Sequence, residues 1–172
     1  LVGSEMCIRD SYYLVHKAKE LQYHTKMINS GRYVNDSMGR YIGKKVVKKI
    51  ISQGKNILGA HVLVMGMTFK ENVSDIRNSK VADIINEFKD FGAEVDVMDP
   101  FASPFEVLQE YGIRLVERPG KKYDAVVVAV AHTTYLKLDE SYFMSITNEH
   151  AVLADVKGVY RGRIHQMIYW SL

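Results

Sequence analysis

The sequence predicts an α/β fold, a doubly wound parallel sheet preceded by two α-helices, on three observations. Short apolar, β-branched runs alternate with amphipathic stretches from Lys55 onward. One of these runs, 125–131 (AVVVAVA), is apolar at every residue, as a central parallel strand covered on both faces must be. Before Lys55 the apolar residues recur at helical spacing, with no strand-like alternation.

Taken in order, residues 12–29 place Tyr13, Leu14, Ala18, Leu21 and Tyr23 among Lys17, Lys19 and Glu20, which predicts a first helix interrupted at Gly31. A second helix is expected from Asn35 or Asp36 as N-cap, with Met38, Ile42, Val46 and Ile50 recurring every four residues up to Gly54. A boundary is expected at 54–59. Beyond it, 61–66 (HVLVMG) reads as a strand, and 79–91 as a helix closed by Gly92. A strand at 94–98, a short helix at 104–111, a brief strand at 113–116, the strand 125–131, a helix at 140–146 and a last strand at 151–156 complete the series. Alternating strands and helices of these lengths favour parallel pairing through crossover helices. Tyr12, Tyr13, Phe88 and Phe91 fall on apolar helix faces and are expected in the core.

With 172 residues, 47% of them hydrophobic and 25% charged, the chain has the composition of an ordinary globular domain. The net charge of +3 is small, and the cluster Lys44, Lys45, Lys48 and Lys49 reads as a solvated helix face, so no nucleic-acid partner is expected. Cys7 is the only cysteine, which rules out an intramolecular disulfide in the chain and fits a cytoplasmic setting. No apolar run approaches the roughly 20 residues of a membrane-spanning helix. The six histidines, His16, His24, His61, His132, His150 and His165, show no paired ligand spacing, so no metal site is expected.

In a doubly wound sheet ligands lie outside the carboxyl ends of the strands. The loop after the first strand, 66–79, lacks G-x-G-x-x-G and is too long for a tight dinucleotide turn. It carries other means of holding an anion: Lys70 as a point charge, Arg77 as a two-pronged donor, and Asn78 or Ser79 as a cap for the next helix. On composition alone this loop is as well explained as a solvated connection.

The segment VLVMGMTFKENVSDIRNSKVADII resembles the C-terminal domain signature of the UDP-glucose/GDP-mannose dehydrogenase family, a Gly-x-Thr-Phe-Lys-x-Asn-x-x-Asp-x-Arg-x-Ser pattern. The similarity continues through EVDVMDP (94–100), YDAVVVAVAH (123–132) and LADVKGVY (153–160), while YYLVHKAKELQYH and GRYVNDSMGRYI resemble the last helices of the family's central domain. The DVKG ending resembles the branch acting on UDP-N-acetylhexosamines. The resemblance implies a Rossmann-like UDP-sugar-binding domain at 55–172, preceded at 12–54 by the end of a central helical dimerisation domain. It implies oxidation of a sugar C6 alcohol to the carboxylate in two NAD-dependent hydride transfers through a cysteine-bound thiohemiacetal and thioester, by a homodimer. Residue by residue, Phe69 and Lys70 match the pair that contacts the UDP-sugar, and Arg77 the arginine directed to NAD. Lys157 stands where relatives use a substrate-binding arginine, keeping the charge and losing the fork.

Cys7 does not match the nucleophile. Ser4-Glu5-Met6 stand where glycines precede the family's cysteine, Ser11 replaces a proline, and the interval to Tyr12-Tyr13 is one residue short, enough to misplace a nucleophile. Asp10 is shifted in the same way. Residues 1–11 resemble translated adapter sequence and are read as a non-native leader. No catalytic residue is therefore assigned, and the chain is expected to be inactive alone because the cofactor platform lies elsewhere. His132 is expected to fix a loop rather than to act as a base, and Asp155 either to orient Lys157 or to serve the fold alone. Two rival readings are a stand-alone nucleotide-binding or oligomerisation module, and a flavodoxin-like signalling domain suggested by Asp99-Pro100. Against the latter, no acidic cluster stands at the ends of the first strands.

Overall fold

The computed structural model describes residues 3–172, with side chains from Ser11 onward. The chain divides into two compact units, one ending at Met38 and the other running from Gly39 to Leu172.

In the first unit, α1 spans Gly3–Glu20, and α2 begins at Lys26 and continues to Ser52. The expected interruption at Gly31 and a new start at Asn35 or Asp36 do not occur. A Cβ built on Gly31 meets nothing within 4 Å, so this glycine costs only its intrinsic helix penalty of about 1 kcal/mol relative to alanine. The break falls instead at 21–25, where Gln22 takes a positive φ of 57°. Tyr12 and Tyr13, expected in the core, are 54% and 68% exposed; the Arg32 guanidinium covers the Tyr12 ring at 3.0 Å.

The second unit is an α/β Rossmann-like domain. Its sheet has five strands in the order β2-β1-β3-β4-β5, all pairs parallel. The strands are β1 His61–Met65, β2 Glu94–Met98, β3 Tyr123–Val128, β4 Thr147–Asp155 and β5 Ile168–Ser171. The helices are α3 Val81–Asp90, α4 Pro104–Tyr111 and α5 Glu140–Ile146. The brief strand expected at 113–116 is reduced to one bridge between Leu115 and Val97. β5, whose four residues carry no turn signal, was not foreseen.

Alternation along the strands explains the packing. Leu63, Met65, Val126, Val128 and Leu153 share one face and pack with Tyr135, Phe143 and Tyr160. Their neighbours Val62, Val64, Ala125, Val127 and Val152 point the other way and are equally buried. Phe88 of α3 is fully buried, whereas Phe91 is 39% exposed, a second departure from the expected core. The end of α2 belongs to this unit: Ile42, Val46 and Ile50 are buried, and Gly39 and Gly43 bring its backbone against α3. A Cβ at either glycine would stand 2.7 Å from that of Asp83 or 2.8 Å from that of Glu87.

Sequence signals fix the shorter helices. Ser103 caps α4 by accepting from the Glu106 amide, Pro104 starts it, and Gly112 ends it in the left-handed conformation. Asp139 caps α5 through the Tyr142 amide. At α3 the N-cap position is Lys80, which makes no side-chain cap, but the expected capping residue Ser79 accepts through Oγ from the Val81 amide at 3.3 Å.

Candidate functional site at the carboxyl edge of the sheet

The carboxyl ends of β1, β2 and β3 are joined by one buried acid. Asp99, directly after β2, accepts hydrogen bonds through Oδ2 from the backbone amides of Met67 (2.6 Å) and Thr68 (3.0 Å) in the β1 loop. Its Oδ1 accepts from the amides of Phe101 (2.7 Å) and Ala102 (2.9 Å), and His132 Nε2, beyond β3, lies 3.0 Å from Oδ2 with both side chains fully buried. Burial alone pushes the Asp99 carboxyl up. The His132 hydrogen bond and the amides of Met67, Phe101 and Thr68 outweigh it and hold the group well below the usual carboxylate range.

The rest of loop 66–80 is tied down along its length. His132 Nδ1 accepts from the Asn72 amide at 3.0 Å. Asn72 Oδ1 accepts from the amide and hydroxyl of Thr133 at 2.9 and 2.6 Å. The Phe69 amide donates to the Asp75 carbonyl at 2.7 Å. From α4, the Tyr111 hydroxyl donates to the Ile76 carbonyl at 2.6 Å and accepts from the Ser79 amide at 3.3 Å. Tyr111→Phe removes both contacts around the buried Ile76 and is expected to cost about 1–2 kcal/mol. A melting temperature within 1 °C of wild type would show that Tyr111 does not hold the loop.

Against this frame the expected binding residues are distributed as follows. Lys70 is exposed and Phe69 half-buried at the outer turn of the loop. Lys157, two residues past β4, pairs with Glu71 Oε1 at 3.4 Å. The β4 loop therefore meets the β1 loop next to Lys70. A backbone hydrogen bond and the Lys157 charge hold the Glu71 carboxyl below its ordinary value, against the burial that raises it. Asp155 does not contact Lys157 directly. Fully buried, it accepts from the amides of Gly158 (2.8 Å) and Tyr160 (2.7 Å) and from the Tyr169 hydroxyl (2.8 Å). It thus shapes the turn that carries Lys157. Arg77 lies on the far stretch of the loop, its Nε and Nη2 forked onto Asp75 at 2.9 and 2.7 Å. It borders a cleft of about 440 Å³ shared with Phe105, Glu106 and Glu110. The side chains of Cys7 and Asp10 lie outside the described residues. Among the described residues no group of three or more His, Cys, Asp or Glu could hold a metal ion, and no helix is long and apolar enough to cross a membrane.

Sequence reasoning gives Asn72, Glu71 and Tyr111 no role, and reads Asp99 only as a mark of the flavodoxin-like alternative. Asp99 had a signal, an acid at the carboxyl end of a predicted strand. The others converge only through the fold.

The chemistry open to this edge is anion binding by lysines, not dinucleotide binding. In a dinucleotide turn the amides after β1 face the pyrophosphate; here those of Met67 and Thr68 are taken by Asp99. The β1 turn does not fit NAD.

Residues 63–162 match the UDP-glucose/GDP-mannose dehydrogenase family, UDP binding domain. The chain is 40% identical over 158 residues to the UDP-N-acetyl-D-glucosamine 6-dehydrogenase of Pseudomonas aeruginosa, covering 91% of this chain and 37% of that protein. Against the enzyme of the same name from Salmonella typhi it is 38% identical over 160 residues, covering 92% and 38%. The NDP-N-acetyl-D-galactosaminuronic acid dehydrogenase structure from Methanosarcina mazei Go1 shares the fold, with a TM-score of 0.81 at 21% identity over 94% of this chain and 36% of that one. The chain thus spans little more than a third of the length of the curated relatives it matches. Its match over residues 63–162 places it in the UDP-glucose/GDP-mannose dehydrogenase family, as the carrier of that family's UDP-binding domain.

Proposed function

We propose that this chain is the nucleotide-binding lobe of an NAD-dependent UDP-sugar 6-dehydrogenase, which oxidises the C6 alcohol of a UDP-N-acetylhexosamine to the uronate in the cytoplasm for polysaccharide synthesis. What supports the reading is the meeting of the β1 and β4 loops at Glu71 and Lys157, which brings Lys157 to the loop segment that carries the exposed Lys70 within a domain of the UDP-binding family. Residues 12–54 form the end of a central helical domain through which the enzyme dimerises, and 55–172 the UDP-sugar-binding domain.

In this reading Phe69 packs on the substrate, while Lys70 and Lys157 face its diphosphate. Glu71, a carboxylate beside the two lysines, gives up Lys157 when the phosphates arrive. Arg77 turns from Asp75 toward the cofactor. NAD, held by a domain outside this chain, would supply the hydride acceptor, so the chain alone supplies binding and orientation without turnover.

The test uses a dehydrogenase that contains this chain. Lys70→Ala is expected to raise KM for the UDP-sugar at least tenfold, about 1.4 kcal/mol, and Arg77→Ala to do the same for NAD. Both constants staying within about twofold, roughly 0.4 kcal/mol, would overturn the site assignment. Glu71→Gln removes the competing carboxylate and is expected to lower KM for the UDP-sugar.

A further inference from the structure

His132 is fully buried and has no route to a substrate, yet both ring nitrogens are engaged. The hydrogen-bond partners fix its tautomer. Nδ1 faces a backbone N–H, that of Asn72, and must be an acceptor. Nε2 faces the Asp99 carboxylate, and so carries the proton. The Thr68 hydroxyl, 3.2 Å from Nε2, donates to the Lys70 carbonyl at 3.0 Å and is left as a second acceptor for the same proton. The ring is held between Phe101 and Tyr135, at centroid distances of 4.9 and 5.4 Å.

These contacts close around residues 69–71. Before them, Met67 and Thr68 hang on Asp99; after them, Asn72 hangs on His132 by its amide and on Thr133 by its side chain. Asn72 holds a left-handed φ of 59°, a conformation asparagine tolerates better than most residues and one that turns the chain sharply. The loop amide at 72 is thus the hinge pin of the turn.

We propose that His132, with Asn72, is the positioning residue that sets Phe69, Lys70 and Glu71 at the carboxyl edge. The neutral imidazole works as a two-ended spacer, its Nε2–H anchored on Asp99 and its Nδ1 holding the loop. This role rests on the proposed binding role of that segment. A side chain that offers only one of the two ends separates loop positioning from plain structural support. In His132→Asn the amide oxygen takes the place of Nδ1 and keeps the Asn72 contact while the Asp99 contact is lost. In His132→Gln the amide nitrogen takes the place of Nε2, keeping Asp99 and abandoning Asn72. Each variant gives up one buried hydrogen bond, so a purely structural histidine predicts that the two behave alike.

Two measurements on the pair decide the matter. Hydrogen exchange of the Asn72 amide in this chain is expected to stay slow in wild type and His132→Asn and to accelerate at least tenfold in His132→Gln. In a dehydrogenase containing the chain, His132→Gln is expected to raise KM for the UDP-sugar about tenfold with kcat within about threefold, and His132→Asn to leave KM within about threefold of wild type. Equal exchange rates in the two variants would overturn the spacer. Slow exchange lost only in His132→Gln, with KM unmoved, would keep the spacer as a feature of the fold and overturn its role in placing the binding segment. A fall of kcat with unchanged KM in both variants would overturn positioning in favour of a part in the chemical step. Failure of the Lys70→Ala test alongside a normal exchange split would strike the functional reading and not the spacer.

Discussion

Asp99→Ala is expected to lower the stability of the domain by about 3–5 kcal/mol, because it removes the buried carboxylate and leaves several neutral donors that pointed at it without an acceptor. The stranded groups are the amides of Met67, Thr68, Phe101 and Ala102 together with His132 Nε2. For a chain of this length that corresponds to a fall of roughly 10 °C in melting temperature. The pH dependence supplies a second signature. The folded carboxyl is held far below its unfolded value, which is about 3.9, so its contribution is fully present above the unfolded pKa and disappears as pH falls through the acid range. Wild type should therefore lose stability between about pH 5 and pH 3, and the variant should lose much less over the same interval. Thermal melts of both proteins at pH 7 and pH 3 test this. A gap between them that is as wide at pH 3 as at pH 7 would show that the anionic form contributes nothing. Asp99→Asn should fall between the two, since the amide keeps an acceptor for one pair of backbone donors.

The contrast between what the sequence foretold and what it hid follows from where each signal resides. The run around β3 was legible because burial on both faces leaves an unbroken apolar stretch, and the cap of α4 because Ser103, Pro104 and Gly112 each act locally. Gly31 misled because a glycine in an exposed helix position costs little and the neighbouring turns carry the helix through. Tyr12 and Tyr13 misled because helical spacing reports a face without saying what covers it. At the site, Lys70 and Arg77 could be named from one loop. Asp99, His132 and Asn72 could not, since their meeting spans sequence separations of 33 and 60 residues and depends on the parallel register of β2, β1 and β3. The expectation that His132 fixes a loop agrees with its contacts. The expected link from Asp155 to Lys157 passes through backbone amides of the turn and not through the lysine itself.

Gly66→Ala should be nearly as damaging as the loss of Asp99, for a reason that lies in the backbone. Gly66 adopts φ 96°, outside what L side chains occupy comfortably, and a Cβ there would stand 2.5 Å from Cβ and 2.8 Å from the backbone nitrogen of Val130. The obstruction is main chain just beyond β3, so relief requires the ends of β1 and β3 to part. Positive-φ strain of about 1–2 kcal/mol and overpacking of about 1–3 kcal/mol together give an expected loss near 3 kcal/mol. Gly112→Ala provides the control, because Gly112 also has a positive φ, 65°, but meets nothing within 4 Å; its loss should be strain alone, about 1 kcal/mol. Chemical denaturation of the two variants distinguishes steric closure from φ preference, and equal losses would remove Val130 from the explanation. Since Gly66 aims the amides of Met67 and Thr68 at Asp99, the same displacement that relieves the clash weakens those hydrogen bonds. The double variant Gly66→Ala, Asp99→Ala should accordingly lose less than the sum of the single losses, by about 1 kcal/mol or more. Strict additivity would mean that the turn and the acid stabilise the edge independently, and that the amides after β1 are aimed by something other than this glycine.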